Sequence, residues 1–236
     1  MHWEDRRFQN RELISVQITK ILQLLPGLRR VIADFGALAN YVNWVESRFP
    51  GTKFYGSRKR LIKLILKSVE NKKVQVLELG VARGALTRWS LSVSNNSQLS
   101  WTGFDTFSGL PADWLRDGAV YLAKGSFSTD GKQPQICDSR LRFVVGDITE
   151  TSKQIPSLLQ IDNRGIAFVL FDLDLFNPSL VAWQEMSPYL RSGDILYFDQ
   201  AFDREGEQRL IADYVLVEKR VEVLGKSVIG LALQIL

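Results

Sequence analysis

The chain has 236 residues, a formal net charge of +4 and 45 % hydrophobic residues, enough for one large domain with its own core. Its single cysteine, Cys137, excludes an internal disulfide or a metal site built on several thiolates, and reads as a small structural residue rather than a nucleophile. Its single histidine, His2, excludes Ser-His-Asp and Cys-His catalysis and most zinc enzymes, so acid–base chemistry falls to carboxylates, Lys, Tyr or Cys.

In chain order, Ile14, Ile18, Ile21, Leu22 and Leu25 fall on one helical face, and Pro26-Gly27 stops that helix. A second helix is expected over 28–46. Pro50-Gly51 breaks the chain, and a third helix runs over 58–69. The basic stretch from Lys53 to Lys73 has apolar residues threaded through it and reads as an amphipathic helix with a solvated face. Residues 1–56 are therefore expected to form a helical lid or oligomerisation segment, in a dimer, and 57–236 the main domain.

From Val74 the pattern changes to strands alternating with helices. Strands are expected over 74–79, 99–105, 140–147, 166–174 and 194–199, several of them ending in an acid. Helices are expected over 85–93, 180–190 and 205–218, and two antiparallel strands around Gly225 over 221–236. Such alternation implies a mainly parallel sheet covered on both faces. The aperiodic stretch 106–135 follows a strand's C-terminal end, where open α/β sheets bind ligands, and reads as a substrate wall carrying Trp114. Trp89 and Trp183, on helices, read as core.

The chemistry centres on Glu78-Leu79-Gly80-Val81-Ala82-Arg83-Gly84 at the first strand-to-helix turn. Gly80 and Gly84 permit a tight turn and close approach of a ligand to the backbone. Asp105 ends the next strand, where a carboxylate can accept ribose hydroxyl hydrogens. Glu78 disfavours a pyrophosphate, and the third glycine of the dinucleotide fingerprint is missing. A carboxylate here suits a cationic ligand with an ammonium and a sulfonium, which describes S-adenosylmethionine.

The stretch from Glu78 to Gly84 resembles motif I of class I methyltransferases. The stretches 103–111 (GFDTFSGLP) and 171–176 (FDLDLF), with Asp199-Gln200, resemble the macrocin O-methyltransferase (TylF-like) family. The resemblance covers roughly 55–202. It implies a Rossmann-like, seven-stranded, mostly parallel sheet with helices on both faces, an antiparallel last strand and extra N-terminal helices. It also implies S-adenosylmethionine-dependent methylation of a hydroxyl on a sugar or other secondary metabolite, assisted by magnesium or another divalent cation.

Carried across, Glu78, Gly80 and Gly84 would line the methionine part of the cofactor and Asp105 would hold its ribose. Phe107 and Ser108 would lie beside ribose and adenine, with Asp147 and Ile148 at the adenine edge. Asp172, Asp199 and Gln200 would hold the metal. The family usually has a tyrosine at the position of Phe176 and often a second Asp at that of Gln200. A Gln carbonyl still ligates a hard cation, with one negative charge fewer. Asp172 and Asp174 are the candidate general bases, since strand alternation sends both to one face; Asp174 could instead cap the helix near Pro178.

The alternatives are a metal-independent methyltransferase acting on another atom, a nucleotide-binding oxidoreductase, and a non-catalytic cofactor-binding homologue. The charge of +4 is too small to argue for nucleic acid, and no apolar run is long enough to span a membrane. The charged residues 1–10 lack the apolar stretch of a secretory signal, so a cytoplasmic location is expected.

Overall fold

The computed structural model describes Ser15 and residues 25–236, apart from Asp117 and Asp162. The expected first helix, with Ile14, Ile18, Ile21 and Leu22, lies outside the described residues. Helix α1 (Pro26–Arg48) opens on a proline, whose fixed φ suits the first helical position. Helix α2 (Arg58–Ser68) is capped by Ser57, whose side chain accepts from the Arg60 amide. It buries Leu61, Ile62, Ile65 and Leu66, each stabilising by about 1.5–3 kcal/mol relative to exposure.

Next come β1 (Val74–Leu79), α3 (Ala85–Val93), β2 (Leu99–Asp105), the hairpin β3 (Trp114–Arg116) and β4 (Ala119–Leu122), and β5 (Leu141–Val145). The short helices α4 (Ile148–Thr151) and α5 (Ile155–Leu159) lead to β6 (Ile166–Phe171), α6 (Phe176–Met186) and β7 (Ile195–Phe198). The chain closes with α7 (Glu207–Leu210), a π-helical turn over Ile211–Val215, α8 (Leu216–Glu218), β8 (Val221–Lys226) and β9 (Leu231–Ile235).

The main sheet has seven strands in the order β5-β2-β1-β6-β7-β9-β8. The neighbours from β5 to β7 pair in parallel, and β9 runs antiparallel to both β7 and β8. All six residues of β1 are buried, as expected for a strand covered on both faces. Leu77, Leu79, Val169, Phe171, Leu196 and Phe198 face one apolar cluster with α1, α5 and α6. Val74, Val76, Phe168, Leu170, Ile195 and Tyr197 face the other, with α2 and α3. This period of two divides the core into two layers.

Three details depart from the sequence reading. The final turn lies between β8 and β9, at 227–230, while Gly225 stays inside β8, where a Cβ would meet the Tyr55 ring at 2.5 Å. The stretch 106–135 is an ordered wall that contains the β3–β4 hairpin and is tied by Leu110 N–H to Ser126 O and Thr129 N–H to Phe107 O. The helix expected over 205–218 is split by the π-helical turn. Helix α1 is fastened to the last hairpin by Tyr41 Oη donating to Gly230 O at 2.7 Å and by the Lys226–Glu46 ion pair. None of the described helices is long and apolar enough to cross a membrane.

Candidate functional site

A cavity of about 500 Å³ opens at the C-terminal ends of β1, β2, β6 and β7. Parallel strands end here with their side chains released from the sheet, and the loops that follow form the walls. Of the ten residues chosen from sequence for cofactor or catalysis, Glu78, Gly80, Asp105, Asp147, Ile148, Asp172 and Asp174 line it, together with Asp199 and Gln200. Gly84, Phe107 and Ser108 do not. Gly84 starts α3 in the left-handed region, and a Cβ there would press on Pro134. Phe107 is fully buried edge-on to Phe143, and Ser108 is turned to solvent.

The first turn is tight for a visible reason. A Cβ on Gly80 would lie 1.9 Å from the carbonyl oxygen of Asp172, because the ends of β1 and β6 meet there. Only glycine fits. The Asp105 carboxylate organises the same turn: one oxygen accepts the Val81 and Ala82 amides at 2.7 Å each, and the other accepts the Phe107 amide at 2.6 Å. A carboxylate has about four acceptor sites, so one remains for a ligand hydroxyl while three hold the loop. Asp147 caps α4 by accepting the Thr149 amide and hydroxyl.

Glu78 points to the α2–α3 layer. It is 1 % exposed, and one oxygen accepts Thr87 Oγ1 and Trp101 Nε1 at 2.7 Å each. Burial pushes its carboxyl up to about 7, against the lowering effect of those two hydrogen bonds. Asp174 is also buried, and burial together with the Asp199 charge pushes it up to about 7. Asp172 is held well above the usual carboxylate range by desolvation and by Asp199. The chain does not bring Asp172 and Asp174 together by strand pleat, because β6 stops at Phe171. Asp174 instead takes a left-handed backbone conformation, φ 62°, which turns its carboxyl to the cavity. Such conformations cost about 1–3 kcal/mol and persist where surrounding structure fixes them.

Sequence reading missed four charged residues around this rim. Arg58, in the stretch read as a solvated face, reaches back over the sheet. Its Nη1 donates to Asp199 Oδ2 at 2.8 Å and lies 3.7 Å from Asp172 Oδ2. Glu207 is fully buried, accepts the Gln200 amide at 2.8 Å and leaves its other oxygen without a partner; burial pushes its carboxyl well up. Asp203 accepts Trp114 Nε1 at 2.8 Å, and Arg116 pairs with Asp34 at 3.0 Å. Only Arg58 had a local signal, the Ser57 cap before it, and no local pattern tells which way its side chain turns.

The metal expected on Asp172, Asp199 and Gln200 meets a cation already in place. The second oxygen of Asp199 accepts Tyr197 Oη at 3.0 Å, so both oxygens of this buried acid are engaged. A divalent ion on the same carboxylates would face the Arg58 guanidinium at ~4 Å, a repulsion on the order of 8 kcal/mol at an effective dielectric of ~20. By the same measure each carboxylate in contact at ~2 Å attracts a divalent ion by more than that, so such an ion would take the place of Arg58, whose side chain is 39 % exposed, on Asp172 and Asp199. The cavity does fit a ligand carrying its own positive charge near Glu78, with a hydroxylated part near Asp105 and Asp147.

This sheet order is that of the class I methyltransferase fold, which the CalS11 structures share. The chain is similar to the calicheamicin methyltransferase CalS11, with a TM-score of 0.50 and 21 % identity over 75 % of this chain and 80 % of that one. The apo structure of CalS11, described as a TDP-rhamnose 3'-O-methyltransferase, gives 0.50 and 20 % over the same shares. The O-methyltransferase NovP gives 0.48 and 18 % over 75 % and 79 %. No family model matches the chain and no curated protein matches it, so the narrower likeness to the macrocin O-methyltransferases rests on the motif residues alone.

Proposed function

We propose that the chain is an S-adenosylmethionine-dependent O-methyltransferase acting on a hydroxyl of a small molecule. The observation that carries this reading is the convergence of Glu78, Gly80, Asp105, Asp147 and Ile148, chosen from sequence, on one cavity at the sheet's C-terminal rim. Glu78 supplies negative charge for the ammonium and sulfonium end, Asp105 an acceptor for a ribose hydroxyl, and Ile148 an apolar edge for adenine. When bound, S-adenosylmethionine supplies a methyl whose S–C bond breaks as the O–C bond forms, releasing S-adenosylhomocysteine.

The chain's own residues then position the acceptor and take its proton. Asp174 is the general base in this reading: it lines the cavity, and a carboxyl raised to about 7 is matched to accepting a proton near neutral pH. Arg58 holds Asp172 and Asp199 in place and supplies positive charge that offsets them. Calorimetric titration with S-adenosylhomocysteine and with NAD, followed by methyl-transfer assays with and without a chelator, tests the reading. Binding of the first ligand alone, with methyl transfer, is expected, and the chelator arm tests whether a divalent ion replaces Arg58 on Asp172, Asp199 and Gln200. NAD binding without S-adenosylhomocysteine binding would overturn it.

A further inference from the structure

A second cavity, of about 300 Å³, lies against the first and shares Phe127 and Gln200 with it. Three more rings line it, those of Trp114, Tyr121 and Phe202, and α1 closes its outer side with Leu38 and Asp34. The charged groups of its wall are already paired. Trp114 turns its Nε1–H away to the buried Asp203 at 2.8 Å and meets Tyr121 edge-on with centroids 5.1 Å apart. Arg116, the wall's cation, pairs with Asp34 at 3.0 Å. Its guanidinium packs against Tyr121 at 4.4 Å and Phe202 at 4.7 Å, and its side chain is 9 % exposed.

This wall offers ring surface without a free charge. A diphosphate needs unpaired cations or a row of backbone amides, and a cation committed to a carboxylate and two rings supplies neither. An uncharged planar molecule gains offset or edge-on ring contacts here and brings no charge that needs a partner. The volume is at the lower end of the ~300–1,000 Å³ seen for small-molecule sites. The Gln200 amide stands at the junction with the first cavity, whose wall also holds Asp174.

We infer that the second cavity is the acceptor site and that the acceptor is an uncharged aromatic hydroxyl compound, its ring among Trp114, Tyr121 and Phe202 and its hydroxyl directed past Gln200 toward Asp174. A nucleotide-linked sugar does not fit this wall. The inference rests on the methyltransferase reading above, and it names the substrate class of the same site.

The test is calorimetry on the full chain in two stages. S-adenosylhomocysteine is titrated first; absence of binding overturns the methyltransferase reading and this inference with it. On the protein saturated with that ligand, 2-naphthol and TDP-rhamnose are then titrated separately. Binding of 2-naphthol, and none of TDP-rhamnose, is expected. Leu38→Trp, which fills the cavity from α1, and Tyr121→Ala, which removes a ring that lines the second cavity alone, should each weaken 2-naphthol by about ten-fold or more. Both should leave S-adenosylhomocysteine affinity unchanged, which also reports that the variants are folded. Tighter binding of TDP-rhamnose, no binding of either compound, or 2-naphthol affinity indifferent to both substitutions would overturn the acceptor assignment while leaving the cofactor reading intact.

Discussion

The two adjoining cavities are built on opposite principles. The first is rimmed by carboxylates: Glu78, Asp172, Asp174 and Asp199 on its wall, with Glu207 behind Gln200. The second is rimmed by rings, with its one arginine paired and covered. Burying several acids around one guanidinium is costly, and the raised carboxyls of Glu78, Asp174 and Glu207 are the visible cost. Such a site gains most from a ligand that brings a positive charge. The ring-lined cavity pays no such penalty and gains most from apolar, planar surface. In the proposed reading charge therefore selects the cofactor, and shape with apolar contact selects the acceptor.

The sharpest way to break that division is at the base. Asp174→Asn should lower turnover by about 10²–10⁴-fold and leave S-adenosylhomocysteine affinity nearly unchanged, as read by steady-state kinetics beside calorimetry. An equal loss in both would place Asp174 in cofactor binding instead. Asp105→Ala should have the next largest effect. Losing a charged acceptor should weaken cofactor binding by about 1.5–3 kcal/mol, and the three freed amides should also lower the melting temperature. A folded variant with unaltered affinity would remove Asp105 from the site.

The pH dependence sharpens the electrostatic half. A base works deprotonated, so kcat should rise with pH through about 7 as Asp174 loses its proton, and Asp174→Asn should lack that rise. Stability without ligand should move the other way. The folded-state pKa of Glu78 lies above its ordinary value, so its contribution is fully present below about 4.5 and is lost as pH rises through about 7. Glu78→Gln keeps an acceptor for Thr87 and Trp101 and carries no proton to lose. Its melting temperature should therefore fall less between about pH 6 and about pH 8 than that of the parent chain, and an identical slope would show that Glu78 does not titrate there. The smallest effect is expected where α1 is fastened to the last hairpin: Tyr41→Phe removes the hydrogen bond to Gly230 and should cost about 0.5–1.5 kcal/mol by denaturant unfolding.

Sequence alone determined the sheet and the turn that anchors the site. The unbroken apolar run of β6, the short apolar run of β1 and the glycine at 80 are local consequences of strand geometry and of backbone sterics, so they can be read without knowing what packs where. The acids that end strands were legible for the same reason, since strand ends in a parallel sheet share one rim. The environment of those acids was decided only by tertiary structure. Arg58 lies 141 residues from Asp199 in the chain, and Arg116 lies 82 from Asp34, and no short-range pattern encodes which carboxylate a long flexible cation will reach. The left-handed turn at Asp174 and the inward rotation of Phe107 likewise depend on neighbours distant in sequence. A residue's type sets what it is able to do; whether its charge is free, paired or buried follows from contacts that form only when the whole chain has packed.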